Sequence, residues 1–138
     1  MANKEKTKNS NYSASIIETS RELTAKERVM YKDTKNAISF LEIAEKAHGA
    51  GEKAIINNIT DYIVIEIHNE SSDDVDYKNY VVLDAEGNKY VTGSQSFWNA
   101  FMDIYSEMSN ETEPWGIELV LLESKNYKGK NVLTCSLI

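Results

Sequence analysis

Lys125, Tyr127, Lys128 and Lys130 lie within one short stretch near the end of the chain, cations flanking a single flat ring with no acid among them. Lysines at that spacing can follow successive phosphates. A tyrosine between them offers a face to a base, a stack that contributes on the order of 1–3 kcal/mol. A second basic group, Lys26, Arg28 and Lys32 with Tyr31, stands near the start. Tyr62 and Tyr80 add two rings on segments that alternate like β-strands. These residues form a candidate surface for an unpaired nucleic-acid strand: lysine and arginine on phosphates, tyrosine on bases. The aromatic inventory of eight Tyr, two Trp and three Phe points to the same side chain. Each of these features also has a plainer use, since a basic helix face can simply be solvated and a tyrosine can pack at the edge of a core.

Other chemistries find less to work with. His48 and His68 are the two histidines, and no Gly-x-Ser-x-Gly, His-Glu-x-x-His or P-loop pattern accompanies them. Glu66 shares a strand face with His68, but neither a nucleophile nor a set of metal ligands stands beside them, so no enzyme activity is expected. The acidic loop Asn69–Asp76 lacks the order of carboxylates and the closing glutamate of a calcium loop, so no metal or cofactor is expected. Cys135, the one cysteine, has no disulfide partner and no CxxC neighbour, and reads as a small buried hydrophobe.

The elements that must position these groups are legible in part. Tyr12–Thr19 has the β-branched centre of a strand. Thr24-Ala-Lys-Glu27 is a capping box that starts a helix running from Ala25 to about Lys32. Over the next segment a helix Phe40–Ala47, ended by His48-Gly-Ala-Gly51, and a strand Ala37–Ile43 both fit, since periodicity does not separate them over so short a run. Ala54–Ile56 and Asp61–His68 read as strands, the latter with Tyr62, Val64, Glu66 and His68 on one face and Ile63, Ile65 and Ile67 on the other. Tyr77–Leu83 and Lys89–Thr92 form a hairpin around Asp84-Ala-Glu-Gly-Asn88, where Gly87 supplies a positive φ. Tyr77 and Tyr80, three apart, point to opposite faces. Ser94 caps a helix Gln95–Met108 whose Phe97, Trp98 and Phe101 belong to the core. Gly116–Leu122 and Val132–Ile138 are the last two strands, joined by the lysine-rich arm.

Strands, one main helix, then two strands is the order of a mostly-β α+β chain and counts against a doubly wound parallel sheet. It matches a five-stranded antiparallel barrel of the OB type, with the helix between strands 3 and 4 and short helical segments at the N-terminal side. Residues 1–10 are expected to be a disordered leader, and 11–138 a single domain of that kind. No run of about 18 apolar residues is present to span a bilayer and the start lacks an apolar signal segment, so a cytoplasmic protein without a membrane partner is expected.

The net charge of −7 is unevenly spread. Residues 61–123 hold two bases against fourteen acids, a balance of −12, while residues 1–35 and 124–138 each carry +3. A polyanion is gripped by a local positive surface, so the two ends are where a phosphate backbone would lie. The acidic middle serves solubility, or it supports the alternative class of function: an acidic protein-interaction module or inhibitor, a DNA mimic, that binds no nucleic acid.

The run Asn69–Ile138, with Tyr80-Val-Val-Leu-Asp-Ala-Glu-Gly, the helix start Thr92-Gly-Ser-Gln-Ser-Phe and the ending Lys128-Gly-Lys-Asn-Val-Leu-Thr-Cys-Ser-Leu-Ile, resembles the single-stranded-DNA-binding proteins of phages and mobile elements of Gram-positive bacteria. The resemblance covers roughly the C-terminal half. It implies an OB-like fold, sequence-independent coating of single strands during phage DNA replication in the host cytoplasm, and single-stranded DNA and replication proteins as partners. The chain lacks the acidic, phenylalanine-ended tail of the bacterial housekeeping versions, so recruitment of repair proteins through such a tail is not expected. The resemblance does not name individual DNA-contacting residues.

Overall fold

In β4 (Ile59–Asn69) the alternation read from the sequence buries both faces: Tyr62 and Val64 on one side, Ile63, Ile65 and Ile67 on the other. A strand covered on both sides must lie inside a layered structure. The computed structural model describes residues 11–123 and 130–138. The expected leader over residues 1–10, and Lys125, Tyr127 and Lys128 of the arm, lie outside the described residues. The order is β1 (Tyr12–Thr19), α1 (Ala25–Lys32), β2 (Ile38–Ser39), α2 (Phe40–Ala50), β3 (Ala54–Ile56), β4, β5 (Asp76–Asp84), β6 (Lys89–Thr92), α3 (Gln95–Met108), β7 (Ile117–Glu123) and β8 (Asn131–Leu137).

Two sheets result. One has the order β1-β4-β5-β6-β2, the other β3-β7-β8. Neighbours are antiparallel except β2 and β6, which run parallel. Between the sheets, Tyr62, Val64, Tyr80, Val82 and Tyr90 meet Phe97, Trp98 and Phe101 of α3, Phe40 and Ala44 of α2, and Ile117, Leu119, Leu133 and Cys135 of the smaller sheet. The opposite face of the larger sheet carries a second cluster, Ile63, Ile65, Ile67, Val81 and Leu83, with Leu23, Tyr31 and Tyr77 packed against it. Tyr77 and Tyr80 do face opposite ways. Cys135 is buried, and burial pushes its thiol up to about 12.

The mostly-β α+β class is as expected, but a closed five-stranded barrel is not formed. Closure would require β6 to pair with β8, and among the described residues the two sheets remain open and share no ladder. The reason is local. β6 is four residues long, and its outer edge is taken by β2 at Ile38↔Tyr90 and Ser39↔Val91. The start of α3 meets β8 instead, where Ser96 Oγ donates to the Leu133 carbonyl at 3.0 Å.

Elsewhere the chain sets its own boundaries. The ambiguous segment contains both readings, a two-residue strand and then a helix, because the Ser39 hydroxyl accepts from Glu42 N at 3.2 Å and so starts α2. In the β5–β6 turn Gly87 takes φ 87°. Burial of Asp84 disfavours its charge, yet hydrogen bonds from Asn88, Tyr90 and the Glu86 amide outweigh this and hold the carboxyl below its usual range. Gly116 lies so close to the β3–β4 junction that a Cβ would collide with the Ile56 carbonyl oxygen and stand 3.0 Å from Asn57 Cα. Glycine lets the two sheets meet there, and Ile59 N donates to Trp115 O at 3.1 Å across the same junction.

Candidate nucleic-acid interface

The basic helix forms as its capping box requires. Thr24 Oγ1 accepts from Glu27 N at 3.2 Å, and Glu27 Oε1 accepts from Thr24 N at 2.9 Å. Arg21 then forks onto the same carboxylate, Nη2 to Oε2 at 2.7 Å, and its Nε reaches Asp61 Oδ2 at 3.3 Å. The guanidinium, and after it the Thr24 amide, holds the Glu27 carboxyl down at about 2. Arg21 is exposed and Glu27 partly so, and the pair therefore orders the helix start more than it stabilises the fold. Its pH dependence follows from the sign of the shift. A carboxyl lowered on folding contributes above its unfolded value of 4.5 and loses that contribution as pH falls toward about 2. Acidification through this window should therefore fray the first turn of α1, seen as faster amide exchange at Glu27 and Arg28, and Glu27→Gln should abolish the pH dependence. Persistence of the wild-type pH response in that variant would locate it elsewhere.

With Glu27 engaged by Arg21, the outward charges of α1 are Lys26, Arg28 and Lys32, all exposed. Arg28 and Lys32, four apart, share one stripe, whereas Lys26 lies roughly 120° around the helix from Lys32. Tyr31 does not stand free beside them: it is half-buried against the Ile63–Ile65–Ile67 face. The far end of the helix is pinned to the sheet by Lys89, whose Nζ donates to the carbonyls of Met30 at 2.9 Å and Asp33 at 2.6 Å. This is a cation completing a helix C-terminus.

Between α1 and β1 runs a cleft of about 380 Å³ lined by Tyr12, Ala14, Val29, Lys32, Asp33 and Lys35, among others. Tyr12 is 49% exposed and Val29 69%. Two flat or apolar groups are thus flanked by two lysines. The one carboxylate there, Asp33, is partly occupied by accepting from Lys35 N at 3.1 Å. Tyr12 and Lys35 are absent from the residues singled out in the sequence. For Tyr12 the signal was present: alternation along β1 puts it on the face of Ala14 and Ile16, which pack on the outer cluster, one pair beyond the point where that cluster ends.

Two of the predicted stacking rings are corrected by their burial. Tyr62 is 8% exposed and Tyr80 3%. Tyr80 stacks on Trp98 at 4.7 Å and donates to Gln95 Oε1 at 2.6 Å. Tyr62 meets Trp98 and Tyr105 edge-on and donates to Glu18 Oε2 at 2.7 Å; burial first, then that carboxylate, pushes its phenol up to about 12. Neither ring has a face left for a base, because the strand face that α3 covers is the one they stand on. Lys130 is exposed at the head of β8, on the smaller sheet, while α1 lies against the larger one. His68 is held by Asp76 at 2.8 Å and Glu70 at 3.1 Å, not by Glu66, and these hydrogen bonds, Asp76 foremost, raise its pKa. Among the described residues no group of three His, Cys, Asp or Glu side chains is placed to hold a metal ion, and no helix is long and apolar enough to cross a membrane. No family model matches the chain, and neither a curated protein nor a solved structure does.

Proposed function

We propose that the chain binds single-stranded DNA without regard to sequence, and that the α1–β1 cleft, not the buried tyrosines, is where the strand lies. The observation that carries this reading is the exposed ring of Tyr12 lining one cleft with Lys32 and Lys35. Strand order supports it. The meander β4-β5-β6, a helix, and a hairpin β7-β8 whose first strand returns to β3, the segment feeding β4, follow the connectivity of an OB-type barrel left open between its third and fifth strands. Such folds bind oligonucleotides on the outer face of strands 2 and 3 and on the loops at its ends. Here that face is the one on which α1 rests, and Lys130 heads the strand after the loop joining the last two. The resemblance of the C-terminal half to phage single-stranded-DNA-binding proteins points the same way, toward coating of single strands during replication.

Anisotropy of a labelled oligo-dT tests the proposal. Binding is expected at about 50 mM salt, weakening steeply as salt rises because lysines displace counterions from phosphates. A mixed-sequence strand should bind equally and a duplex of the same length less well. No anisotropy change at about 50 mM salt would overturn this reading in favour of a protein-interaction module.

A further inference from the structure

Within the acidic middle of the sequence a cleft of about 350 Å³ opens where the C-terminal end of α3 meets the segment leading into β7. Its walls include Tyr105 and Met108 of α3 and Trp115, with Glu111, Glu113 and Pro114 along the rim. The two rings stand 5.9 Å apart at 64°, forming a corner, and both are only half-buried. They are held in place from behind: Tyr105 Oη donates to Thr60 O at 3.4 Å, and Trp115 O accepts from Ile59 N beside the close approach of Gly116. Asn58, also in the lining, holds φ at 58°, a left-handed conformation uncommon outside glycine. Among the described residues neither Glu111 nor Glu113 forms a salt bridge.

A corner of aromatic rings beside two carboxylates that form no salt bridge among the described residues attracts a cation and repels phosphate. Of the protein cations, guanidinium suits it better than ammonium, because it is flat enough to lie on a ring and has donors enough to fork onto carboxylates. The volume accommodates a side chain rather than a domain. We propose that this cleft receives an arginine side chain presented by a basic segment of a partner protein, its plane against Trp115 or Tyr105 and its N–H groups on Glu111 and Glu113. The site is independent of the DNA-binding reading, and it gives Glu111 and Glu113 of the acidic middle a use besides solubility.

The test is a titration of the isotopically labelled full chain with a short glycine–serine peptide carrying one central arginine. The expected result is saturable shifts of the Trp115 indole and the Tyr105 and Met108 resonances at millimolar peptide. The citrulline peptide, which keeps the shape without the charge, should bind at least about fivefold more weakly, and Glu111→Gln with Glu113→Gln should weaken the arginine peptide comparably while leaving the rest of the spectrum unchanged. Oligo-dT should neither displace the peptide nor be displaced by it, so failure of one site leaves the other standing. Equal response to the citrulline peptide, equal response to a lysine peptide, or shifts confined to other surfaces would each overturn the assignment.

Discussion

Trp98→Ala is expected to lower the free energy of unfolding by about 3–5 kcal/mol, the range for removing a large buried aromatic ring. Trp98 is 6% exposed. It stacks on Tyr80 at 4.7 Å and on Phe101 at 5.1 Å and takes the edge of Tyr62 at 5.4 Å. Its removal therefore strips partners from three rings at once and leaves a cavity between α3 and the larger sheet. Domains of this size are stable by about 5–15 kcal/mol, so the loss is a large share. Denaturant titration followed by circular dichroism measures it, with Trp98→Phe expected to recover part of the loss. A change below about 1 kcal/mol would mean that α3 does not pack on the sheet as described. The same packing separates stability from binding. Tyr62→Phe keeps the buried ring and removes only its hydroxyl bond to Glu18, so the affinity of the folded protein for oligo-dT should not change. A specific loss of affinity in that variant would return Tyr62 to the binding surface.

Arg28→Ala, Lys32→Ala and Lys35→Ala combined should have the second large effect. If these three cations contact phosphates, the slope of log affinity against log salt flattens by about 2, at roughly 0.7 per contact on a single strand. Affinity at low salt should fall about tenfold or more. All three are exposed, so the melting temperature should move little. Lys26→Ala, on another flank of α1, should alter the slope less. The matching triple replacement of Lys125, Lys128 and Lys130 asks whether the arm shares the strand with the cleft. An additive flattening places both on one path, and no change removes the arm. An unchanged slope in the α1 triple variant would remove the cleft.

Local signals accounted for most elements. The capping box at Thr24–Glu27, the Ser94 cap and the positive φ of Gly87 depend on atoms only a few residues apart, and each appears where the pattern put it. The apolar stripe Phe97, Trp98, Phe101 marked the core because a helix can bury only one face. Exposure was harder to read. Tyr62 and Tyr80 look the same in the sequence as rings on a solvent-facing strand, and only the position of α3 decides that they are interior. Tyr12 had the reverse fate, since whether a ring at the end of β1 is covered depends on where α1 stops. Lys89, a plain surface cation by its neighbours, became the anchor of α1 through carbonyls more than fifty residues earlier.

By itself, the order of residues determined most of the strands and helices, though not the choice between them around Phe40, and with them the class of the fold, the helix that fills the core, and the concentration of acid between residues 61 and 123. These follow from periodicity, capping and charge, all short-ranged along the chain. Tertiary structure alone decided that the two sheets share no ladder among the described residues, because β2 occupies the outer edge of β6. It also decided which rings meet water and which cations gather beside them, because both depend on contacts between segments that no local pattern specifies.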